Sequence, residues 1–336
     1  PRDFTNNTFI STPHPATSGR FGYSVINFDD LTSDGTDEFL VGAPGEDRGG
    51  NPGIGTVYAL QTNFSEVRRI GPPTGASTGE AVEWGYVVAE YADVSGGAGS
   101  PSQTPDGTDE VLIAAPNFSG GGGIVDMIDL GNTAMTSAEG NSVLRFSGAS
   151  GDRLGEAIAV LANVEMTDTL PEVVITSADA ASGAGIVNVF LSSGFSSLID
   201  TGANLSSPTI SIMNPSTGLN FGRSLADAGD VNGDGLPDLL IGATDKTAPP
   251  ANAGRVLLIS GADIAAGASV PTPLCNLTSP STGIPVPRFF GQAVLGLGDL
   301  TGDGHTEFAV TQRRNDSTAN AGTIFIYTYD TTTSTC

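Results

Sequence analysis

Four side chains in one acidic loop have the type and spacing to bind a metal ion. Asp230, Asn232, Asp234 and Asp238 carry oxygen atoms at loop positions 1, 3, 5 and 9, and Leu236 at position 7 offers its backbone carbonyl. Oxygen donors of this number and flexibility suit Ca²⁺ better than Mg²⁺ or a transition metal. We therefore expect calcium in this loop, with the structural role of fixing a turn between two strands.

Three further loops repeat the pattern with Thr or Ser at position 3. The predicted ligands are Asp30, Thr32, Asp34, the Thr36 carbonyl and Glu38; Asp93, Ser95, Asp106, the Thr108 carbonyl and Glu110; and Asp299, Thr301, Asp303, the His305 carbonyl and Glu307. Residues 96–105 interrupt the second of these loops, so whether it binds calcium stays open. A fifth loop, residues 163–172, has lost the spacing, and no metal is predicted there. About four structural calcium ions are expected in all.

Two other interpretations fit the acidic loops less well. An EF-hand needs a bidentate acid at position 12, where this sequence has Val41, Ile241 and Val310, and it needs flanking helices. Solvated Asp-Gly turns explain one loop well, but they explain several loops in register poorly. Calcium binding remains the favoured interpretation.

The elements that must position these loops recur along the chain. Five pairs of an aromatic or apolar residue and a glycine are spaced 63, 70, 67 and 69 residues apart: Phe21-Gly22, Trp84-Gly85, Leu154-Gly155, Phe221-Gly222 and Phe290-Gly291. Three apolar strands follow each pair, and a fourth fits before the next pair. A fixed period of such units predicts a repeat architecture, because no single unit can bury both of its faces.

The repeat resembles a known family. The Phe-Gly start, the Asp-x-Asn-x-Asp-Gly loop, Ile-Gly-Ala or Val-Gly-Ala-Pro, and Gly-x-Val resemble the FG-GAP repeat, the blade unit of the integrin α-subunit β-propeller. The resemblance implies an all-β propeller with four-stranded blades. We expect one domain over residues 1–336, with repeats starting near residues 21, 84, 154, 221 and 289. Five blades are favoured over the seven of integrins, with residues 7–11 adding the closure strand of the last blade.

Composition restricts the partners and the compartment. Net charge is −24, from 37 acidic and 13 basic residues, and this charge disfavours nucleic acid and anionic membranes as partners. No apolar run is long enough for membrane insertion. Cys275 and Cys336 match no zinc motif, and a disulfide is favoured over two free thiols. An extracellular or cell-surface location is expected, as part of a larger secreted or surface protein.

The resemblance implies a non-enzymatic adhesion or recognition module whose ligand binds opposite the calcium loops. Basic residues are scarce, and Asp47, Arg48, Lys246, Arg313 and Arg314 fall on loops of that face. They are candidate contacts for a protein or glycan ligand, and ordinary loop salt bridges are the alternative. A carbohydrate-active enzyme, either a glycoside hydrolase or a polysaccharide lyase, is the alternative function. No catalytic residue is predicted, because two histidines and two cysteines build no recognisable constellation.

Overall fold

The computed structural model describes residues 19–48, 50–72, 81–94, 107–131, 138–139, 142–214, 219–245, 254–280, 289–313 and 322–336. Within these residues the chain forms five β-sheets, which are arranged as the five blades of a β-propeller. The predicted all-β class and the five blades are confirmed.

Each blade takes its main strands from one repeat, in chain order across the sheet. The first blade contains β1 (Ser24–Phe28), β2 (Glu38–Ala43), β3 (Thr56–Leu60) and β4 (Glu66–Gly71). The second contains β5 (Val88–Glu90), β6 (Glu110–Ala115), β7 (Ile124–Asp129) and, as its fourth strand, β9 (Ser142–Ser147). Between β7 and β9, the short strand β8 (Ala138–Glu139) pairs with the sheet of the first blade. The third contains β10 (Leu154–Leu161), β11 (Glu172–Ser177) and β12 (Ile186–Phe190), with β13 (Ala203–Leu205) leaving for the second blade and β14 (Ile210–Met213) as its fourth strand. The fourth contains β15 (Leu219–Gly229), β16 (Asp238–Asp245), β17 (Arg255–Ile259) and β18 (Cys275–Thr278), and the fifth contains β19 (Phe290–Gly298), β20 (Glu307–Arg313) and β21 (Gly322–Tyr327).

The helices of the described chain are short. They are α1 (Phe118–Gly121), α2 (Ala180–Gly183), α3 (Ser192–Phe195) and α4 (Gly261–Ala265), with one 3₁₀ turn at Ser196–Leu198. Over the part of the chain that the structure describes, no helix is long and apolar enough to cross a bilayer.

Two edge strands were not expected from the sequence. β8 pairs in parallel with β4, and β13 pairs in parallel with β9. Each therefore joins the outer edge of the preceding blade. An outer edge strand leaves backbone groups unpaired, so an added strand supplies their hydrogen-bond partners. β8 has two residues and β13 has three, so both strands are too short to give a periodic signal in the sequence.

Both faces of the inner strands are buried between neighbouring blades. On β16, Leu239, Leu240 and Ile241 are all 0% exposed although successive side chains point to opposite faces. Leu240 packs toward the fifth blade, whereas its two neighbours pack toward the third. A continuous apolar run, instead of an alternating one, is the sequence signature of such a strand.

The repeated glycine allows two blades to approach closely. Gly85 has a φ of +84°, and a Cβ there would lie only 2.9 Å from Val57 Cγ2 of the first blade. Its carbonyl accepts a 3.0 Å hydrogen bond from Ser24 Oγ. The same junction recurs at later blades, where Thr176 Oγ1 donates to the Gly222 carbonyl at 2.7 Å and Ser224 Oγ to the Gly291 carbonyl at 2.9 Å. The Gly therefore serves blade packing, as does Trp84, which is 0% exposed and donates from Nε1 to the Ile70 carbonyl.

The junction between the last and first blades is different within the described residues. No described atom lies within 4 Å of a Cβ built on Gly22, the first-blade counterpart of Gly85. On the fifth blade, Leu295, Ile324 and Ile326 share the face that points away from the fourth blade, and they are 59–69% exposed. The predicted closure strand, residues 7–11, lies outside the described residues, so this part of the fold stays a prediction.

Deleting residues 1–11 tests that prediction. We expect the truncated protein to melt a few degrees lower and to self-associate, because β21 keeps an open edge beside exposed apolar side chains. Light scattering after size exclusion and a thermal melt by circular dichroism measure both effects. A truncated protein that stays monomeric and equally stable would rule out the closure strand.

The disulfide holds the C-terminal tail to the fourth blade. Cys336 is bonded to Cys275 at the start of β18, with 6.1 Å between the Cα atoms. The predicted pairing is confirmed, and it lies on the outer strand of the fourth blade.

Candidate functional site

The acidic loops join the first and second strands of each blade, so they lie together at one end of the propeller. In the first blade, oxygen atoms of Asp30, Asp34 and Glu38 lie within 4.8 Å of one another. Asp30 is held by backbone N–H groups, since Oδ1 accepts from Asp34 at 3.0 Å and Oδ2 from Gly35 at 2.6 Å. Thr32 Oγ1 donates to Glu38 Oε1 at 3.3 Å. Four predicted side-chain ligands of this loop therefore converge.

The loop of the fourth blade has the same backbone pattern. Asp230 Oδ1 accepts from Gly233 at 2.7 Å, and Oδ2 accepts from Gly235 at 2.9 Å. Its acids are not drawn together within 4.8 Å as in the first blade. Asn232 directs its amide Nδ2 toward Asp234 Oδ2 at 3.0 Å. Burial raises the pKa of Asp238 to about 7.

In the fifth blade, Asp299 takes the place of Asp230. Its carboxylate accepts from the backbone N–H groups of Gly302 at 2.6 Å and Gly304 at 2.9 Å, and these bonds lower its pKa. Thr301 Oγ1 donates to Glu307 Oε1 at 3.2 Å. The side chain of His305 packs against Gly233 of the neighbouring loop, so only its backbone is available to the loop.

The loop of the second blade is described only in part. Asp93, Thr108 and Glu110 are described, whereas Ser95 and Asp106 lie outside the described residues. Asp93 Oδ2 accepts from the Gly107 backbone at 2.8 Å, as the first acid does in the other loops. Calcium binding by this loop stays open.

In the third blade, two serines of α3 donate hydrogen bonds to carboxylates of the loop at residues 163–172. Ser192 Oγ donates to Asp168 Oδ1 at 3.0 Å, and Ser193 Oγ donates to Glu165 Oε1 at 2.9 Å. The backbone N–H of Ser192 donates to Glu172 Oε2 at 2.5 Å. Serine hydroxyls and a backbone N–H therefore donate to all three acids of this loop.

The last acid of the loop, directly before or at the start of the second strand, is buried in all five blades. These are Glu38, Glu110, Glu172, Asp238 and Glu307, each 0–3% exposed. Each accepts a hydrogen bond from the backbone N–H two residues into its loop, at Leu31, Val94, Val164, Val231 and Leu300. This acid therefore has a structural role whether or not a cation is present.

The donor set of the three fully described acidic loops fits a hard cation. In the first, fourth and fifth blades, no carboxylate of these loops pairs with a described arginine or lysine. Clustered and partly buried carboxylates without a counter-charge are costly. A divalent cation with oxygen ligands supplies that charge, and the residues that would hold it are those predicted from the sequence.

A second acidic cluster was not foreseen. Asp29, Glu90 and Asp109 bring carboxylate oxygens within 4.8 Å of one another where the first and second blades meet. The Asp109 backbone donates to Asp29 Oδ2 at 2.6 Å. Burial, together with Asp109, raises the pKa of Glu90 to about 7. Glu90 therefore holds its proton over much of the range below neutral pH.

At the opposite end of the propeller, a cavity of about 370 Å³ lies among the first strands of the second to fifth blades. This axial cavity is lined by Tyr86, Arg153, Glu156, Thr176, Ala178, Asp179, Asn220, Phe221, Gly222, Arg223, Thr244, Phe289, Gln292 and Arg313. Its place follows from strand direction. The lining residues come from the starts of first strands and the ends of second strands, whereas the acidic loops join the other ends.

Arginines dominate the charge of the axial cavity. Arg153 Nη2 lies 2.7 Å from Glu156 Oε1, and Arg223 Nη1 lies 3.9 Å from Glu156 Oε2. Arg153 Nε is 3.8 Å from Asp179 Oδ2, beyond hydrogen-bonding distance. The Arg313 guanidinium lies 5.9 Å from the centre of the Phe289 ring. Three of the 13 basic residues therefore line one cavity in a strongly acidic protein.

The candidate ligand contacts predicted from the sequence do not all line the axial cavity. Arg313 lines the axial cavity, whereas Asp47 and Arg48 belong to a first-blade loop that does not line it. Asp47 Oδ1 accepts from the Gly53 backbone at 3.0 Å, a contact within its own loop. Lys246 and Arg314 lie outside the described residues.

Sequence reasoning missed most of the cavity, although a signal was present. The residue directly after the repeated glycine lines it in four blades, at Tyr86, Glu156, Arg223 and Gln292. Comparing that position across the repeats shows Tyr, Glu, Arg and Gln, side chains that all carry a polar group. Side chains at one repeat position meet around the axis of a propeller, so this comparison finds the site.

Comparison with known proteins supports the repeat assignment. Residues 21–60 and 221–259 match the family model of the FG-GAP repeat. The two matched segments are the first and fourth blades, and each contains an acidic loop. No match was found among curated proteins.

Proposed function

We propose that this protein is an extracellular, calcium-stabilised recognition module that binds a protein or glycan ligand without transforming it. The axial cavity is the observation that carries this proposal. It lies on the face opposite the acidic loops, where the resemblance to integrin propellers implies ligand binding. Ligand sites are concave and hold a few convergent polar groups, and the cavity has both features, with a lining that is mainly polar.

Three features support the calcium and the extracellular setting. The acidic loops of the first, fourth and fifth blades present oxygen donors without a described basic partner. The Cys275–Cys336 disulfide is typical of an oxidising compartment. A net charge of −24 is compatible with several bound divalent ions.

A carbohydrate-active enzyme is the second candidate, because Glu156 and Asp179 place two carboxyl groups in the same cavity. Glycosidases use such pairs. Glu156, however, is ion-paired to Arg153 through one oxygen and faces Arg223 with the other. Arginines therefore engage both carboxylate oxygens of Glu156, which leaves neither oxygen free for a substrate. Recognition without catalysis is therefore the better supported function.

A glycan and protein array in calcium buffer tests the proposal. Each reaction supernatant should also be assayed for released sugar. Retained ligand without released product is the expected result. Released product would establish the enzyme, and an array with no retained ligand would reject the recognition module.

A further inference from the structure

The axial cavity has one more cationic than anionic side chain among its described lining. Arg153 and Arg223 share Glu156, while Arg313 is exposed and forms no salt bridge with any described residue. Guanidinium groups bind carboxylates through two parallel N–H donors. The Arg313 guanidinium carbon lies 5.9 Å from the centre of the Phe289 ring, within cation–π range. Among the described residues, the cavity therefore has one guanidinium without an ion-pair partner, which can bind a single anionic group.

A second donor also lacks an acceptor. Arg153 Nε is buried, and the described structure provides it with no hydrogen-bond partner. A buried donor without an acceptor is costly, so a ligand oxygen or a water is expected there. Arg153 has a φ of +53°, a left-handed conformation that is unfavourable for a side chain of this size. Phe289, at the equivalent repeat position, has a φ of +55° and also lines the cavity.

The rest of the lining suits a hydroxylated ligand. Asn220, Gln292 and Thr244 offer neutral donors and acceptors, and Phe289 offers an aromatic ring. Hydroxyl groups need such neutral partners, while the C–H face of a sugar ring packs on an aromatic side chain. A volume of about 370 Å³ also exceeds what one carboxylate side chain of a peptide would fill.

Long-range electrostatics restrict the ligand further. A protein of net charge −24 repels a polyanion before any local contact forms. One excess cation in the cavity matches one negative charge on the ligand. A densely sulfated polymer fits neither condition.

We infer that the axial cavity binds a sugar that carries one carboxylate, a uronic acid residue, with Arg313 as the carboxylate contact. This inference rests on the proposed recognition function and names its ligand class. Asn220 and Gln292 bind ring hydroxyls, and Phe289 packs against the ring.

Calorimetric titration with defined small probes tests the inference. At fixed calcium concentration, methyl glucuronide is expected to bind at least tenfold tighter than methyl glucoside, its neutral counterpart. Arg313→Gln is expected to remove that preference and leave the melting temperature unchanged. Arg69→Gln is the matched control, because it deletes one arginine from the outer strand of the first blade, where Arg69 pairs with Glu66. It is expected to keep the tenfold preference.

The outcomes separate this inference from the proposed function. Equal binding of the two glycosides overturns the inference, as does a preference that survives Arg313→Gln. N-acetyl-aspartate amide carries a carboxylate without a sugar, and binding as tight as that of methyl glucuronide overturns the sugar class. An array that retains only neutral glycans rejects the inference and keeps the recognition module. An array that retains nothing, together with no binding of either glycoside, rejects both.

Discussion

In EDTA the protein is expected to melt on the order of 10 °C below its melting temperature in saturating calcium. One ion at a free concentration 100 times its Kd stabilises the folded state by about 2.7 kcal/mol. The loops of the first, fourth and fifth blades have fully described ligand sets, so three ions would contribute roughly 8 kcal/mol. Without them, clustered carboxylates such as Asp30, Asp34 and Glu38 repel one another within 4.8 Å.

Calorimetry or circular dichroism measures this difference. EDTA already saturated with calcium is the control, because it keeps the chelator and restores the ion. The same melting temperature with and without free calcium would contradict a structural role for the acidic loops. Recovery with magnesium alone would contradict the choice of calcium over a smaller ion.

The effect of EDTA is expected to grow between pH 5 and pH 8. Burial raises the folded-state pKa of Asp238 to about 7, above its unfolded value of 3.8. Such a group stabilises the metal-free fold at low pH and loses that contribution as pH rises through about 7. A calcium ligand must be ionised, so calcium offsets this loss above neutral pH. The lowered pKa of Asp299 belongs to a titration below pH 4 and leaves this window unaffected.

Most of the fold could be predicted from the sequence, because each repeat shows the same pattern of glycines and apolar strands. The glycines mark where two blades approach, and continuous apolar runs such as Leu239 to Ile241 mark strands buried on both faces. The fourth strand expected from the sequence before the next Gly pair is found, for example as β4 and β14. The short strands β8 and β13 escaped prediction because their pairing depends on the edge of another blade, which no local pattern encodes.

The candidate site also has one part that the sequence predicted and one part that it did not. The acidic loops are local, so the spacing of Asp30, Asp34 and Glu38 was enough to predict that they converge. The axial cavity is lined by residues of four blades, from Tyr86 to Arg313, so it depends on how the blades are arranged around the axis. The contact of Arg223 with Glu156 joins the fourth repeat to the third. That contact required the assembled propeller.

Substituting the buried last acid of a loop isolates the contribution of calcium to the free energy of unfolding. Asp238 and Glu172 are both 0% exposed, and each accepts backbone hydrogen bonds through both oxygens. Asp238→Asn and Glu172→Gln each replace one accepting oxygen with an amide donor, so each should cost about 1 to 3 kcal/mol for the lost bond. Only Asp238 belongs to a predicted calcium loop. Asp238→Asn is therefore expected to cost roughly 3 kcal/mol more than Glu172→Gln in saturating calcium.

The same pair in EDTA provides the decisive comparison. The extra cost of Asp238→Asn should vanish there, because the lost interaction is with the ion and not with the protein. At pH 8 both amides also remove a buried charge, because burial raises the pKa of Asp238 and the pKa of Glu172 alike, so this relief does not distinguish the two variants. Urea unfolding of both variants, with and without free calcium, gives the four free energies of unfolding that are needed. If the difference between the variants is the same in both buffers, the fourth blade binds no calcium at Asp238, and the acid serves only the loop backbone.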